Sequence, residues 1–242
     1  MITLGVIGVV AAITIPQIVS NIEKQKTLSI LKRAYRDLFI YVREFDYAND
    51  CNGSLSNCAP KSNEFIQKFS EYLINEHNFV KVTKNNLVTQ TCIKFQSKQP
   101  TLNCMQHASP KYLIKSQNGY TYGIGVNMAD DLTNSAIFRG NFPEKYTADY
   151  FRAIIWIYTA PYKQENSKSH IGYDMFSAFV MQSEDIVPNG ADVCGYSQPP
   201  YGWTYFCADW ETKKTCNLEE PESNGYGCLS RIIEEGWQIN YR

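Results

Sequence analysis

Met1-Ile-Thr-Leu-Gly-Val-Ile-Gly-Val-Val-Ala-Ala-Ile-Thr-Ile-Pro-Gln-Ile-Val19 carries no ionisable side chain, and the first charge in the chain is Glu23. Roughly 20 apolar residues are what an α-helix needs to cross a bilayer. Residues 1–22 are therefore expected to form a membrane-inserting helix, its apolar surface made by Ile2, Leu4, Val6, Ile7, Val9, Val10 and Ile13. A secretory signal peptide begins with a basic segment and ends at a small-residue cleavage site. No basic residue precedes this run, and the pattern beyond it stays helical. A buried core helix carries a polar face, which this stretch lacks. Gly8 and Ala12 lie on one helical face, a spacing that lets helices approach closely in lipid. Pro16 removes one backbone hydrogen bond and favours a kink or local melting.

The helix is expected to continue past the apolar run. Leu28, Leu31, Tyr35, Leu38, Val42 and Phe45 are spaced alternately three and four apart, an apolar stripe at helical period. Lys32, Arg33, Arg36, Arg43 and Glu44 occupy other faces. A single helix is predicted to reach about residue 47 and stop at Asn49-Asp50-Cys51-Asn52-Gly53, with its second half packed on a head. Three parts follow: residues 1–22 as the apolar half of the helix, 23–48 as its amphipathic half, and 49–242 as a globular head.

The head is large enough for one domain with its own core. A net charge of −1 gives no general drive toward nucleic acid or anionic surfaces. An aromatic content of 14% suits an α+β or all-β head with many half-buried positions. Cys51, Cys58, Cys92, Cys104, Cys194, Cys207, Cys216 and Cys228 all lie beyond the apolar run, and none forms a Cys-x-x-Cys pair. Zinc ribbons and thioredoxin-type sites therefore find no support. Eight scattered cysteines read as disulfides in an oxidising compartment, with buried free thiols as the alternative. The expected pairing is sequential, Cys51–Cys58, Cys92–Cys104, Cys194–Cys207 and Cys216–Cys228, because each closes a short loop rich in Gly, Pro or Asn. Cys194–Cys216 or Cys207–Cys228 is the competing arrangement. Lys24, Lys26, Lys32, Arg33 and Arg36 would keep their flank cytoplasmic by the positive-inside rule, whereas the cysteines place the head outside. A basic leader before Met1 would resolve that conflict.

Along the head, Ser62 or Asn63 is expected to cap a helix holding Phe65, Ile66, Phe69 and Leu73. Phe79–Val82 reads as a short strand. Tyr112–Lys115 and Tyr120–Val126 flank Asn118-Gly119 and read as a hairpin. Ala153–Thr159 and Tyr173–Met181 read as buried strands, and Cys228–Glu235 as a last helix. His77, His107 and His170 share no short motif with one another or with cysteine. Tyr122-Gly-Ile-Gly125 resembles half a phosphate loop but follows a turn and opens no helix, so it reads as a packed strand. Asp130-Asp131 and Glu184-Asp185 read as solvated faces or turns. The aromatic run Pro199-Pro-Tyr-Gly-Trp-Thr-Tyr-Phe206 reads as disulfide-stapled core, with an exposed recognition loop as the alternative.

The run Ile2–Pro16 resembles the N-terminal helix of type IV pilins and type II secretion pseudopilins, within the prepilin cleavage and methylation motif. Pro16 falls where that family has its helix-kinking proline, and Asn21–Tyr35 continues the likeness. Ile171-Gly-Tyr-Asp-Met-Phe176 and Gly227–Trp237 resemble C-terminal segments of prepilin-type proteins. The resemblance implies an α+β, pilin-like fold: a long N-terminal helix against an antiparallel sheet, with disulfides. It implies a structural subunit of a pilus or pseudopilus, held in the bacterial inner membrane before assembly, with an extracytoplasmic head. Its partners would be copies of itself or other pilins and pseudopilins, the inner membrane, and a prepilin peptidase acting on a leader. That leader and the acidic residue that follows it would lie upstream of Met1. Loop 160–170 is poor in the oxygen ligands that calcium-binding relatives carry there. No catalytic site, metal or cofactor is expected. A membrane-anchored binding or adhesion protein is the alternative, and an enzyme a distant third.

Overall fold

The computed structural model describes residues 2–82, 91–92, 104–105, 110–125, 151–160, 169–189, 216, 225 and 227–241. Helix α1 runs from Ile2 to Ala48, 47 residues, without a break at Pro16. Its end is set by backbone geometry. Asp50 adopts a left-handed conformation (φ 52°), and the Cys51 and Asp50 amides bond back to the carbonyls of Asp46 and Tyr47. This is the paired closure that satisfies the last carbonyls of a helix.

The expected single-pass anchor in the bacterial inner membrane is overturned: among the described residues no helix is long and apolar enough to cross a membrane. From Thr14 onward polar side chains interrupt the apolar ones, at Gln17, Ser20 and Asn21, and charges start at Glu23 and recur at Lys24 and Lys26. The described side chains of α1 are those of Ala12 and of residues from Thr14 onward, and across them these groups leave no uninterrupted apolar stretch of the roughly 20 residues a bilayer requires.

Beyond α1, a short helix α2 (Leu55–Cys58) leads into α3 (Ser62–Glu76). The N-cap of α3 is Lys61, extended after Pro60 and without a side-chain cap bond. Ser62 is already helical and buried, so neither it nor Asn63 stands in the extended position from which a hydroxyl or amide caps. Strands β1 (Val80–Lys81), β4 (Tyr112–Lys115), β5 (Thr121–Gly125), β6 (Phe151–Tyr158), β8 (Met175–Met181) and β9 (Ile186–Pro188) form a six-stranded sheet in that order. Every neighbouring pair in it is antiparallel. A second sheet, β3-β2-β7, joins Cys104–Met105, Thr91–Cys92 and Ser169–His170, with one parallel pair between β2 and β7. Helix α4 covers Cys228–Glu234. The fold is thus α+β, with an N-terminal helix packed on an antiparallel sheet.

The β4–β5 turn differs from a two-residue Asn-Gly turn. Only Gly119 has positive φ (90°), and the Ser116 amide bonds the Tyr120 carbonyl while the Gly119 amide bonds that of Ser116. The loop therefore holds three residues, and the glycine takes the left-handed position that follows an ordinary turn. In β5, an added Cβ at Gly125 would stand 2.9 Å from the Trp156 ring, and one at Gly123 3.0 Å from Pro110. The glycines of Tyr122-Gly-Ile-Gly125 thus admit neighbouring bulky groups within a buried strand.

The core lies between sheet and helices. Strand alternation sends Tyr122, Ile124, Ile155, Ile157, Phe176 and Ala178 into one cluster with α1 and α3. Phe45 sits at its centre, edge-on to Phe65, Phe69 and Tyr72 at 5.5–5.6 Å. Among the described residues two disulfides close local loops, Cys51–Cys58 beside the end of α1 and Cys216–Cys228 at the start of α4. The β2–β3 register sets Cys92 opposite Cys104 along the backbone. Cys194 and Cys207 lie outside the described residues.

Candidate functional site

The two halves of α1 have opposite surroundings. Leu31, Leu38, Val42 and Phe45 are fully buried, and Leu28 and Tyr35 nearly so. Their spacing keeps one face turned to the sheet for about five turns. N-terminal to Leu28 the helix leaves the core: Ile15, Ile18, Val19 and Ile22 are 48–62% exposed, and Pro16 is exposed among them. The side chains of Ile2, Leu4, Val6, Ile7, Val9, Val10 and Ile13 lie outside the described residues. What stands clear of the head is a helical segment with apolar side chains in water. Burying each of them would release about 1.5–3 kcal/mol.

Polar bonds lock the seated half to the sheet, and sequence periodicity did not reveal them. Asp37 shares the buried face of the apolar stripe, only 7% exposed. Its carboxylate accepts from the Tyr120 hydroxyl at 2.9 Å and from Arg36 Nη2 at 3.0 Å. The Tyr122 hydroxyl donates to the Ala34 carbonyl, and that of Tyr35 to the Ile186 carbonyl at 3.0 Å. The helix is thereby tied to β5 and to β9. Burial, with Tyr41 close by, pushes the Tyr120 phenol well above its ordinary range, and burial does the same to Tyr122. Both rings therefore stay protonated donors at neutral pH.

A third tie comes from the C-terminus. Gly236 has φ 71°, and the Trp237 amide bonds back to the Ile232 carbonyl, which ends α4 and turns the chain. The Trp237 ring then lies 6.0 Å from that of Tyr35, with Lys32 Nζ 5.5 Å from its centroid. Tyr241 donates to the Gly172 carbonyl at 2.6 Å. The glycine followed by an aromatic after a short helical pattern was the available signal for this strap.

The remaining sequence candidates are dispersed. His77 packs on Tyr41, ring centroids 4.3 Å apart, and its Nε2 lies 3.2 Å from Glu44. Residue 170 falls on β7; His107, Asp130, Asp131, residues 161–168 and residues 199–206 lie outside the described residues. Glu184 and Asp185 sit at the β8–β9 turn. Burial and the neighbouring Asp46 raise the Glu184 carboxyl above its ordinary value. Among the described residues no group of three or more His, Cys, Asp and Glu is placed to hold a metal ion. The arrangement offers a rigidly held, projecting helix as its distinctive surface. Comparison with protein-family models, curated proteins and solved structures finds no match to this chain.

Proposed function

We propose that this chain is a structural subunit of a type IV pilus or type II secretion pseudopilus, polymerising through its N-terminal helix. The observation that carries the reading is the division of α1: a seated half clamped to the sheet, and a projecting half whose Ile15, Ile18, Val19 and Ile22 are exposed. Packing against the same segment of other copies removes that apolar surface from water, and the clamp passes load from helix to head. The sequence resemblance over Ile2–Pro16 points the same way. The chain acts by assembly and not by catalysis, and its partners are further copies or other pilin-like subunits.

The test uses cells producing the protein from its gene. Antibodies to the head should label sheared filaments. Ile18→Lys should remove the chain from the filament fraction while leaving its circular dichroism unchanged, because Ile18 makes no part of the head core. A parent chain that never enters the filament fraction overturns the reading.

A further inference from the structure

Asparagine is followed by glycine at Asn52, Asn118, Asn189 and Asn224. Glycine has no Cβ, so nothing on it shields its amide nitrogen from the carboxamide of the asparagine before it. Asn224 lies outside the described residues, and the other three stand in different surroundings. Asn118 and Gly119 are both exposed at the tip of the β4–β5 hairpin, and a Cβ at Gly119 would meet nothing within 4 Å. The Gly119 amide donates to the Ser116 carbonyl at 3.4 Å, beyond the ordinary range of such a bond. The Gly53 amide donates to the Asp46 carboxylate at 3.1 Å, and the Asn52 carboxamide to the Asp50 carbonyl at 2.8 Å. Asn189 is buried, with its carboxamide donating to Ser177 Oγ at 2.9 Å.

We propose that Asn118–Gly119 is a self-modification site, which loses ammonia ahead of Asn52–Gly53 and Asn189 and turns the hairpin tip into aspartate and isoaspartate. The Gly119 nitrogen gives its proton to solvent and attacks Asn118 Cγ. The N–Cγ bond forms, the Cγ–NH2 bond breaks, and ammonia leaves with a proton from water. The product is a five-membered succinimide. Water then opens it. Addition at Cγ restores the ordinary backbone with an aspartate side chain, and addition at the main-chain carbonyl gives isoaspartate. No oxidation or reduction occurs. At Asn52 the same attack is held back, because a carboxylate beside the Gly53 amide opposes loss of its proton. The bond to that carboxylate must also break before the nitrogen can turn.

The modification reaches the helix clamp. Gln117, Asn118 and Gly119 form the loop that the Ser116 amide closes on the Tyr120 carbonyl at 2.9 Å. Isoaspartate routes the chain through Cβ and Cγ and adds one carbon to that loop. The residue displaced is Tyr120, whose hydroxyl ties β5 to Asp37 of α1. Aspartate at the same position leaves the backbone path unchanged. The site stands apart from the subunit reading.

The experiment incubates the full-length protein in mildly alkaline H2(18)O and follows each Asn-Gly peptide by mass spectrometry, with chromatography separating the aspartyl and isoaspartyl forms. Position 118 should convert roughly fivefold to tenfold faster than position 52, the margin between a neutral and a charge-assisted hydrogen bond. Asp46→Asn should speed position 52 and leave position 118 unchanged. In urea with the disulfides reduced, the two positions should convert at equal rates. The isoaspartyl form should unfold at a lower urea concentration than the Asn118→Asp variant. Conversion at position 52 or 189 as early as at 118 in the folded chain overturns the proposal, as does the same preference for 118 in urea. An Asp46→Asn variant without effect at position 52 overturns the protection assigned to Asp46. Equal midpoints for the isoaspartyl form and Asn118→Asp overturn the link to the clamp.

Discussion

Replacing Tyr120 by Phe removes one oxygen and leaves the ring. That oxygen donates 2.9 Å to Asp37 Oδ2, a carboxylate whose side chain is buried against β5. Its other oxygen is held by Arg36, whose guanidinium is largely in solvent. A hydrogen bond to a charged group contributes about 1.5–3 kcal/mol. For a domain of this size each kcal/mol moves the melting temperature by about 2–4 °C, so the loss should be roughly 3–12 °C. Tyr122→Phe is the control. Its hydroxyl donates to the Ala34 carbonyl, a neutral acceptor, and its loss should cost only about 0.5–1.5 kcal/mol. The assay is urea unfolding followed by circular dichroism, with Asp37→Asn completing a double-mutant cycle. In that background the Tyr120→Phe penalty should shrink. A Tyr120→Phe cost no larger than that of Tyr122→Phe, or one unchanged by Asp37→Asn, would refute the charge-assisted clamp.

Gly125→Ala forces a methyl within 2.9 Å of the Trp156 ring and should destabilise by about 1–3 kcal/mol, read as a lower urea midpoint. Replacing Cys51 and Cys58 together by Ser opens a loop with a sequence separation of 7 and should cost about 2.5 kcal/mol in the chain-entropy model; unchanged stability would show that loop closure contributes nothing here. Tyr120 and Tyr122 have phenols raised by burial, so the unfolded chain releases those protons first. Their contribution is intact below about pH 10 and is lost as pH rises above it, at about 1.4 kcal/mol per pH unit for fully buried Tyr122. Unfolding measured from pH 9 to 11 should show that slope, and Tyr122→Phe should flatten it.

That one face of α1 would pack on a head was legible because periodicity maps directly onto faces, whereas the α+β class and the antiparallel sheet beneath the helix were expected from the family resemblance. A three-four spacing from Leu28 to Phe45 aims one side of a helix at the core whatever that core is made of. Tyr112–Lys115 was legible as a strand from its side-chain types and bounding turn, and so, with shifted ends, were Ala153–Thr159 and Tyr173–Met181, which the structure places at Phe151–Tyr158 and Met175–Met181. Other features needed the tertiary structure. Asp37 looks like a surface acid in sequence; its burial depends on Tyr120, 83 residues away, and Tyr35 finds its acceptor 151 residues on. No local pattern encodes such distant partners. The cap of α3 moved to Lys61 because Pro60 and the burial of Ser62 decided where the helix begins. The apolar N-terminus, read alone, implied a membrane anchor. Among the described residues no helix meets that requirement; the side chains described in α1, Ala12 and those from Thr14 on, include Gln17, Ser20, Asn21 and the charges from Glu23. Sequence by itself determined which residues seek burial, since transfer free energy is a property of each side chain. Which of them the head buries and which it leaves outward, Phe45 against Ile40 and Tyr47 on one helix, was decided only when helix, sheet and C-terminal strap came together.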